Sequence, residues 1–199
     1  GLLVGTQMLA KGHDLPGLTL VAVVGIDEGL FSADFRAPEK LAQLLVQVSG
    51  RAGRADRPGE VLLQTHHPEH PLLHTLLTGG YAQFADEELA LREEVQFPPF
   101  AHMAMFRAEA RDMDVANAFL VQVRGHLEAT SPGAVLTTHG PLPAPMPRRA
   151  GYQRAQLVVS SNARPALHAA LDAALPSIRE LPEARRVRWS LDVDPVDLY

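Results

Sequence analysis

Two adjacent prolines, Pro98 and Pro99 in the segment Gln96-Phe97-Pro98-Pro99-Phe100, constrain this chain more than any other feature. Proline lacks the N–H that a helix interior or an inner strand requires, and it forces the residue before it toward extended backbone. No regular element is expected to run through this point, so the chain is read as two units, 1–96 and 97–199. In the first, Leu18 to Ile26 is a continuous Val-rich apolar run, the pattern of a strand buried on both faces of a parallel sheet. Leu41, Leu44, Leu45 and Val48 follow helical spacing after Pro38, which suits a first helical turn. A strand over 60–65 and one or two helices between 71 and 95 complete a parallel α/β layer.

The second unit reads as strand 101–110, helix 113–129, strand 134–139, strand 153–160, helix 164–180 and strand 185–193. That order is βαββαβ, the split ferredoxin-like α+β arrangement, and the unit is expected to enclose its own core. Between its middle strands, Pro141, Pro143, Pro145 and Pro147 are too closely spaced for a helix or an inner strand, which predicts an extended surface loop over 140–147.

Composition narrows the chemistry. The 199 residues include no cysteine, which removes disulfides, thiolate nucleophiles and cysteine-based zinc sites together. No run approaches the roughly 18 apolar residues of a membrane-spanning helix, and no basic leader precedes an apolar one. The opening Gly1-Leu2-Leu3-Val4-Gly5, apolar and without an initiating methionine, reads as the interior of a longer protein. The net charge of -5 is unevenly spread: residues 1–100 hold 7 Lys/Arg against 13 Asp/Glu, and residues 141–199 hold 8 against 6. A basic surface, if there is one, lies in the last third.

The sharpest local pattern is Gln47-Val48-Ser49-Gly50-Arg51-Ala52-Gly53-Arg54 at the end of the expected helix. Arginines three apart share a helical face, small neighbours let another surface approach, and the guanidinium offers a fixed fork of donors that keeps its proton. That suits stabilising charge on a transferring phosphoryl group. Upstream stands Gly5-Thr6-Gln7-Met8-Leu9-Ala10-Lys11-Gly12-His13-Asp14-Leu15-Pro16. The pair resembles motifs V and VI of superfamily-two helicases. Together with Leu30–Lys40 (LFSADFRAPEK), Leu63–Leu73 (LQTHHPEHPLL), Pro98-Pro99 and Trp189–Pro195 (WSLDVDP), it is similar to the PriA family of bacterial replication-restart helicases over essentially the whole chain.

The resemblance implies that 1–96 is the later part of the RecA-like second lobe of an ATP-dependent 3′-to-5′ DNA helicase, a hydrolase that restarts forks and assembles the primosome. It implies that 97–199 is a C-terminal DNA- and partner-binding domain, in a protein of the bacterial cytoplasm at the nucleoid. Arg54 matches the arginine finger and Arg51 its γ-phosphate neighbour. Gln47, Gly50, Gly12 and Asp14 fall on the nucleotide side, and Gly5, Thr6 and Gln7 on the DNA backbone. ATP and magnesium belong to the intact protein. The sequence has no GxxxxGK[ST] and no DExH pattern, and the family's cysteine zinc ligands are missing, so no cofactor and no catalysis are expected of this piece alone. The alternative is a non-catalytic platform for DNA forks and single-stranded DNA-binding protein.

Other residues carry weaker signals. His66, His67, His70 and His74 offer metal-like spacing, but Pro68 and Pro71 disturb it, and the segment is read as a strand-to-helix turn with no metal. Asp192 and Asp194 alternate on a strand and so share a face. Arg148, Arg149, Tyr152 and Arg154 combine charge with one aromatic, as a strand-tracking DNA contact does; a solvated basic loop is the plainer alternative. Gln153 and Ala155 stand where the family often has aromatics. Arg164, at the start of the last long helix, resembles a family contact to the acidic tail of single-stranded DNA-binding protein; a surface helix-start arginine is its counterpart reading.

Overall fold

The computed structural model describes residues 1–6, 18–32, 34–50, 59–130 and 136–198. They form two compact units, Gly1–Ala90 and Leu91–Tyr199. In the first, β1 (Leu20–Val23) and β2 (Glu60–Leu63) pair in parallel, from Leu20 opposite Glu60 to Val23 opposite Leu63. Between them come a single turn, α1 (Asp27–Leu30), and α2 (Ala37–Ser49); after them come α3 (Pro71–Thr78) and α4 (Gly80–Glu94), which runs past the unit boundary. Leu41 and Leu45 of α2 bury against Ile26, Leu30 and Leu73, with Val23 and Leu63 packed on that cluster.

Among the described residues, the strand expected to be buried on both faces is covered on one. Val23 and Leu63 pack into the core, whereas Leu20 and Leu62 on the opposite face remain about half exposed. Strand side chains alternate, so helices on one side of a two-stranded sheet cover only one set. An unbroken apolar run reports hydrophobicity, not the number of layers that meet it. The strand is also shorter than the run, because Gly25 turns the chain at φ +68.

The Leu30–Lys40 motif has a local explanation. Asp34 is only 3% exposed, and its carboxylate accepts from the Arg36 backbone N–H at 3.1 Å and from Lys40 Nζ at 2.7 Å. Its carbonyl accepts from the Ala37 N–H at 2.9 Å, Ser32 Oγ accepts from its own N–H at 3.1 Å, and Arg36 pairs with Glu39 at 3.1 Å. With Pro38 in the first turn, these contacts satisfy donors that a helix start leaves open.

The second unit is an antiparallel sheet with two helices on one face. Its elements are β3 (His102–Ala110), α5 (Met113–Thr130), β4 (Thr137–Arg149), β5 (Tyr152–Ser161), α6 (Arg164–Glu180), a 3₁₀ turn (Pro182–Arg185) and β6 (Arg188–Val193). The strand order is β4-β5-β3-β6. Ala104, Phe106 and Ala108 of β3 and Leu157 and Val159 of β5 bury against Phe119, Leu120, Val123 and Leu127 of α5 and Leu167 and Ile178 of α6. Trp189 of β6 lies 5.6 Å from Phe119 and 6.4 Å from Phe106 between ring centroids. On the opposite face Met103, Met105 and Val158 form a smaller cluster with Phe97 and Leu198.

The proline-rich segment is the main departure from expectation in this unit. Residues 140–147 belong to β4, an edge strand with register irregularities between His139 and Leu142 and between Pro143 and Arg148. An edge strand needs donors on only one side, and the register irregularities lie where the prolines fall, so their missing N–H groups interrupt few ladder hydrogen bonds. The prolines also blunt the open edge against pairing with another chain.

Gly140 shapes the bend in β4. Its φ is +114, and its carbonyl accepts from Arg124 Nη1 of α5 at 3.1 Å. A Cβ there would sit 2.7 Å from the Gln156 carbonyl oxygen, a backbone atom that cannot move aside. Gly140→Ala is therefore expected to destabilise the chain by about 1–3 kcal/mol. Urea denaturation checks it; an unchanged midpoint would show that the bend tolerates a side chain.

Candidate nucleic-acid interface

The site begins at a tight turn. Arg149 and Tyr152 are paired residues joined only by Ala150 at φ +49 and Gly151 at φ +80, the two left-handed residues of a hairpin turn whose twist matches its strands. Ala150 adopts a conformation unfavourable for a residue with a Cβ, which the strands on either side impose. Cross-strand partners share a sheet face. The register therefore places Arg149 and Tyr152 together on the face away from α5 and α6.

Register carries that face across the sheet. Gln153 of β5 pairs with Ala110 of β3, which sets Tyr152 level with Arg111. One row further in, Arg154 pairs with Glu109, and Glu109 pairs with Arg188 of β6. Side-chain contacts follow the rows. The Arg188 guanidinium lies 4.4 Å from the Tyr152 ring centroid and that of Arg111 lies 5.6 Å from it, both within cation–π range. Arg154 Nε meets Glu109 Oε1 at 3.0 Å. Where β3 leads into α5 and the 3₁₀ turn into β6, a hollow of about 420 Å³ is lined by Arg111, Tyr152, Arg185, Arg186 and Arg188 among others.

The residues singled out from sequence fare differently here. Arg148 and Arg149 are exposed at the end of β4, and no ion pair holds either among the described residues. Tyr152 is half-buried, and its ring holds two guanidiniums. Arg154, read as part of a basic loop, keeps only 14% of its side chain exposed, and its charge is matched by Glu109. Arg164 is half exposed at the start of α6 and ion-paired with Asp194. Asp192 is held by Arg107 Nη1 at 3.0 Å, so the two alternating aspartates bind different arginines.

Gln47 is exposed in the last turn of α2, and Gly50 caps that helix with its N–H on the Val46 carbonyl at 3.0 Å. Gly5 and Thr6 are exposed at the start of the first unit. Gln7, Gly12, Asp14, Arg51 and Arg54 lie outside the described residues.

The histidine segment has structural work of its own. His70 Nδ1 accepts from the Leu72 N–H at 3.2 Å and so caps α3, and Phe31 packs edge-on against His67 and His70. Asp27 accepts from the Thr65 hydroxyl and from the His66 N–H, joining the ends of β1 and β2. Those hydrogen bonds, Thr65's above all, hold its carboxyl below the usual carboxylate range. Among the described residues no group of three or more potential ligands could hold a metal ion, and no helix is long and apolar enough to cross a membrane.

Sequence reading missed Arg111, Arg185, Arg186 and Arg188. The run Arg185-Arg186-Val187-Arg188 was the available signal. Arg111 gave none, because its membership depends on the β3–β5 and β3–β6 pairings.

The different settings of Arg154 and Arg148 are testable without any ligand. Arg154→Ala should cost about 1–3 kcal/mol, because it strips a partner from half-buried Glu109, whereas Arg148→Ala should stay within about 0.5 kcal/mol. Equal losses in chemical denaturation would contradict this division.

Residues 93–196 match the family described as the primosomal protein N C-terminal domain. Over 197 residues, 99% of the chain, the sequence is 50% identical to the replication restart protein PriA of Haemophilus influenzae, of which it covers 27%. It is 36% identical to the PriA of Bacillus subtilis over 98% of the chain and 24% of that protein. The PriA of Synechocystis is 40% identical over 79% of the chain and 19% of its own length. The chain thus spans about a quarter of the length of these relatives.

Proposed function

The chain belongs to the PriA family of replication restart proteins, and from that premise we propose that it joins the later part of a helicase motor lobe to a DNA-contacting domain. On this reading residues 1–96 are the end of a RecA-like second lobe and 97–199 a ferredoxin-like domain, in a 3′-to-5′ helicase acting at bacterial forks. Two features support the fold assignment. A helix crosses between parallel β1 and β2, and the βαββαβ unit has the strand order β4-β5-β3-β6.

The observation that carries the DNA reading is the row Arg149–Tyr152–Arg111, with Arg188 over the same ring, on an open sheet face. Phosphates are bound by such unmatched guanidiniums, and screening limits each charge to about 8 Å at physiological salt, so acidic residues elsewhere do not cancel them. With Arg154 matched by Glu109, Arg149 on this face and its neighbour Arg148, which projects from the other side of the same exposed hairpin end, are the hairpin residues left to meet a backbone. The chain should bind single-stranded DNA weakly. Replacing both with alanine should flatten the slope of log affinity against log salt by about 1.4, roughly 0.7 for each lost contact. An unchanged slope in fluorescence anisotropy would remove the hairpin from the interface.

For the motor, ATP with magnesium would supply the driving hydrolysis in the complete protein. The exposed end of α2 at Gln47 and Gly50 leads directly to Arg51 and Arg54, whose guanidiniums would balance charge on the γ-phosphate. Arg54→Ala in the complete protein should slow ATP hydrolysis by about 10³-fold or more and leave DNA affinity nearly intact. Loss of DNA binding with normal turnover would reject that role and favour the platform reading. Arg164, at the exposed start of α6, is assigned to the acidic tail of single-stranded DNA-binding protein, which would compete with Asp194 for its guanidinium.

A further inference from the structure

Two sets stand out among the arginines of the second unit, apart from the exposed hairpin pair Arg148 and Arg149. Arg107, Arg124, Arg154 and Arg164 each have a carboxylate within ion-pair distance. Arg111, Arg185, Arg186 and Arg188 have none among the described residues, yet these four converge on the hollow of about 420 Å³. The two acids on its wall are engaged: Glu109 with Arg154 at 3.0 Å, and Asp112 as the cap accepting the Asp114 N–H at 3.0 Å. Four guanidiniums against the carboxylates of Glu109 and Asp112, the former already shared with Arg154, leave the lining with an excess of positive charge, and a bound anion offsets that excess.

We propose that this hollow binds a phosphomonoester: the terminal phosphate of a nucleic-acid strand, or the same group on a free nucleotide. The proposal rests on the reading that this unit meets nucleic acid, and it adds a discrete end-binding site beside the hairpin. Charge selects the ligand. A phosphomonoester carries close to two negative charges at neutral pH and three terminal oxygens, enough to engage two or more guanidinium forks. A carboxylate or an internal phosphodiester carries one charge and two free oxygens, and leaves most of the four arginines unmatched. The Tyr152 ring sits under Arg188 and near Arg111, which orients both forks before any ligand arrives. The volume is sufficient for a phosphate together with its sugar and base.

The test uses the 199-residue chain and one short oligonucleotide carrying a 5′-phosphate, a 3′-phosphate, or hydroxyls at both ends. At least one phosphorylated form should bind about tenfold or more tightly than the hydroxyl form, as charge-assisted hydrogen bonds to one added phosphate imply. The exposed pair Arg185→Ala/Arg186→Ala should bring that ratio to about one. Thymidine monophosphate, followed through the arginine Nε–Hε signals in NMR, reads the pocket even if no strand binds. If it shifts the hollow's arginines and displaces the phosphorylated strand, the site accepts the free nucleotide as well. Equal binding of all three strands with no shift by the nucleotide overturns the proposal. So does tighter binding of an acidic peptide than of any phosphorylated ligand. The hydroxyl strand separately measures the DNA reading, so the two ideas fail independently.

Discussion

Strand β3 is the constraint on which the second unit depends. It is hydrogen-bonded on both sides, to β5 along its whole length and to β6 from Ala104 to Glu109. Its alternation divides the labour. Ala104, Phe106 and Ala108 face α5 and α6, where two small residues flanking an aromatic let the helices pack closely. The other set runs from Met103 and Met105 in the minor apolar cluster to Arg107, Glu109 and Arg111. Slipping this strand by one residue would bury the charges and expose Phe106, so core and binding face are specified by the same register.

That second set is a gradient along one strand. At one end lies apolar contact under Phe97 and Leu198; in the middle Arg107 is tied to Asp192, and Glu109 to Arg154; at the far end Arg111 has no acid partner and stands near Tyr152. Ion pairs offset the charges in the middle of the face, although Arg107 Nε and the facing Gln156 Oε1 are buried there without a hydrogen-bond partner among the described residues. Positive charge is thereby concentrated at the end where the β4–β5 hairpin and the start of β6 meet. Net charge says little about this: the chain is at -5, and the effective field is that of a few guanidiniums left unmatched.

The first unit uses carboxylates in the opposite way. Asp34 is buried and fully engaged at the start of α2, and Asp27 bridges the ends of β1 and β2. Both fix backbone geometry and leave little acidic charge free for a ligand. The arginine motif then follows from the helix that Asp34 starts: α2 runs from Ala37 to Ser49 and ends at Gly50, immediately before Arg51.

Local pattern was enough to read most elements. The helical stripe of α2, the α5 and α6 periodicities and the alternation of β3 and β5 are short-range properties, and the structure places them within a few residues of their expected bounds. Burial and pairing were not legible in the same way. The run Leu18–Ile26 could not reveal which face of its strand the described helices cover, and the prolines of 140–147 could not reveal an edge strand, since both depend on what lies alongside. The sequence around Arg154 shows a basic segment, and only the antiparallel pairing shows that its charge is shared with Glu109. The hollow is the clearest case: Arg111 and Arg188 are far apart in sequence and are brought to one tyrosine only by the β3–β5 and β3–β6 registers. Periodicity within a segment determines which face of an element is apolar, but only the tertiary fold decides which charges meet, because cross-strand register is set by long-range packing.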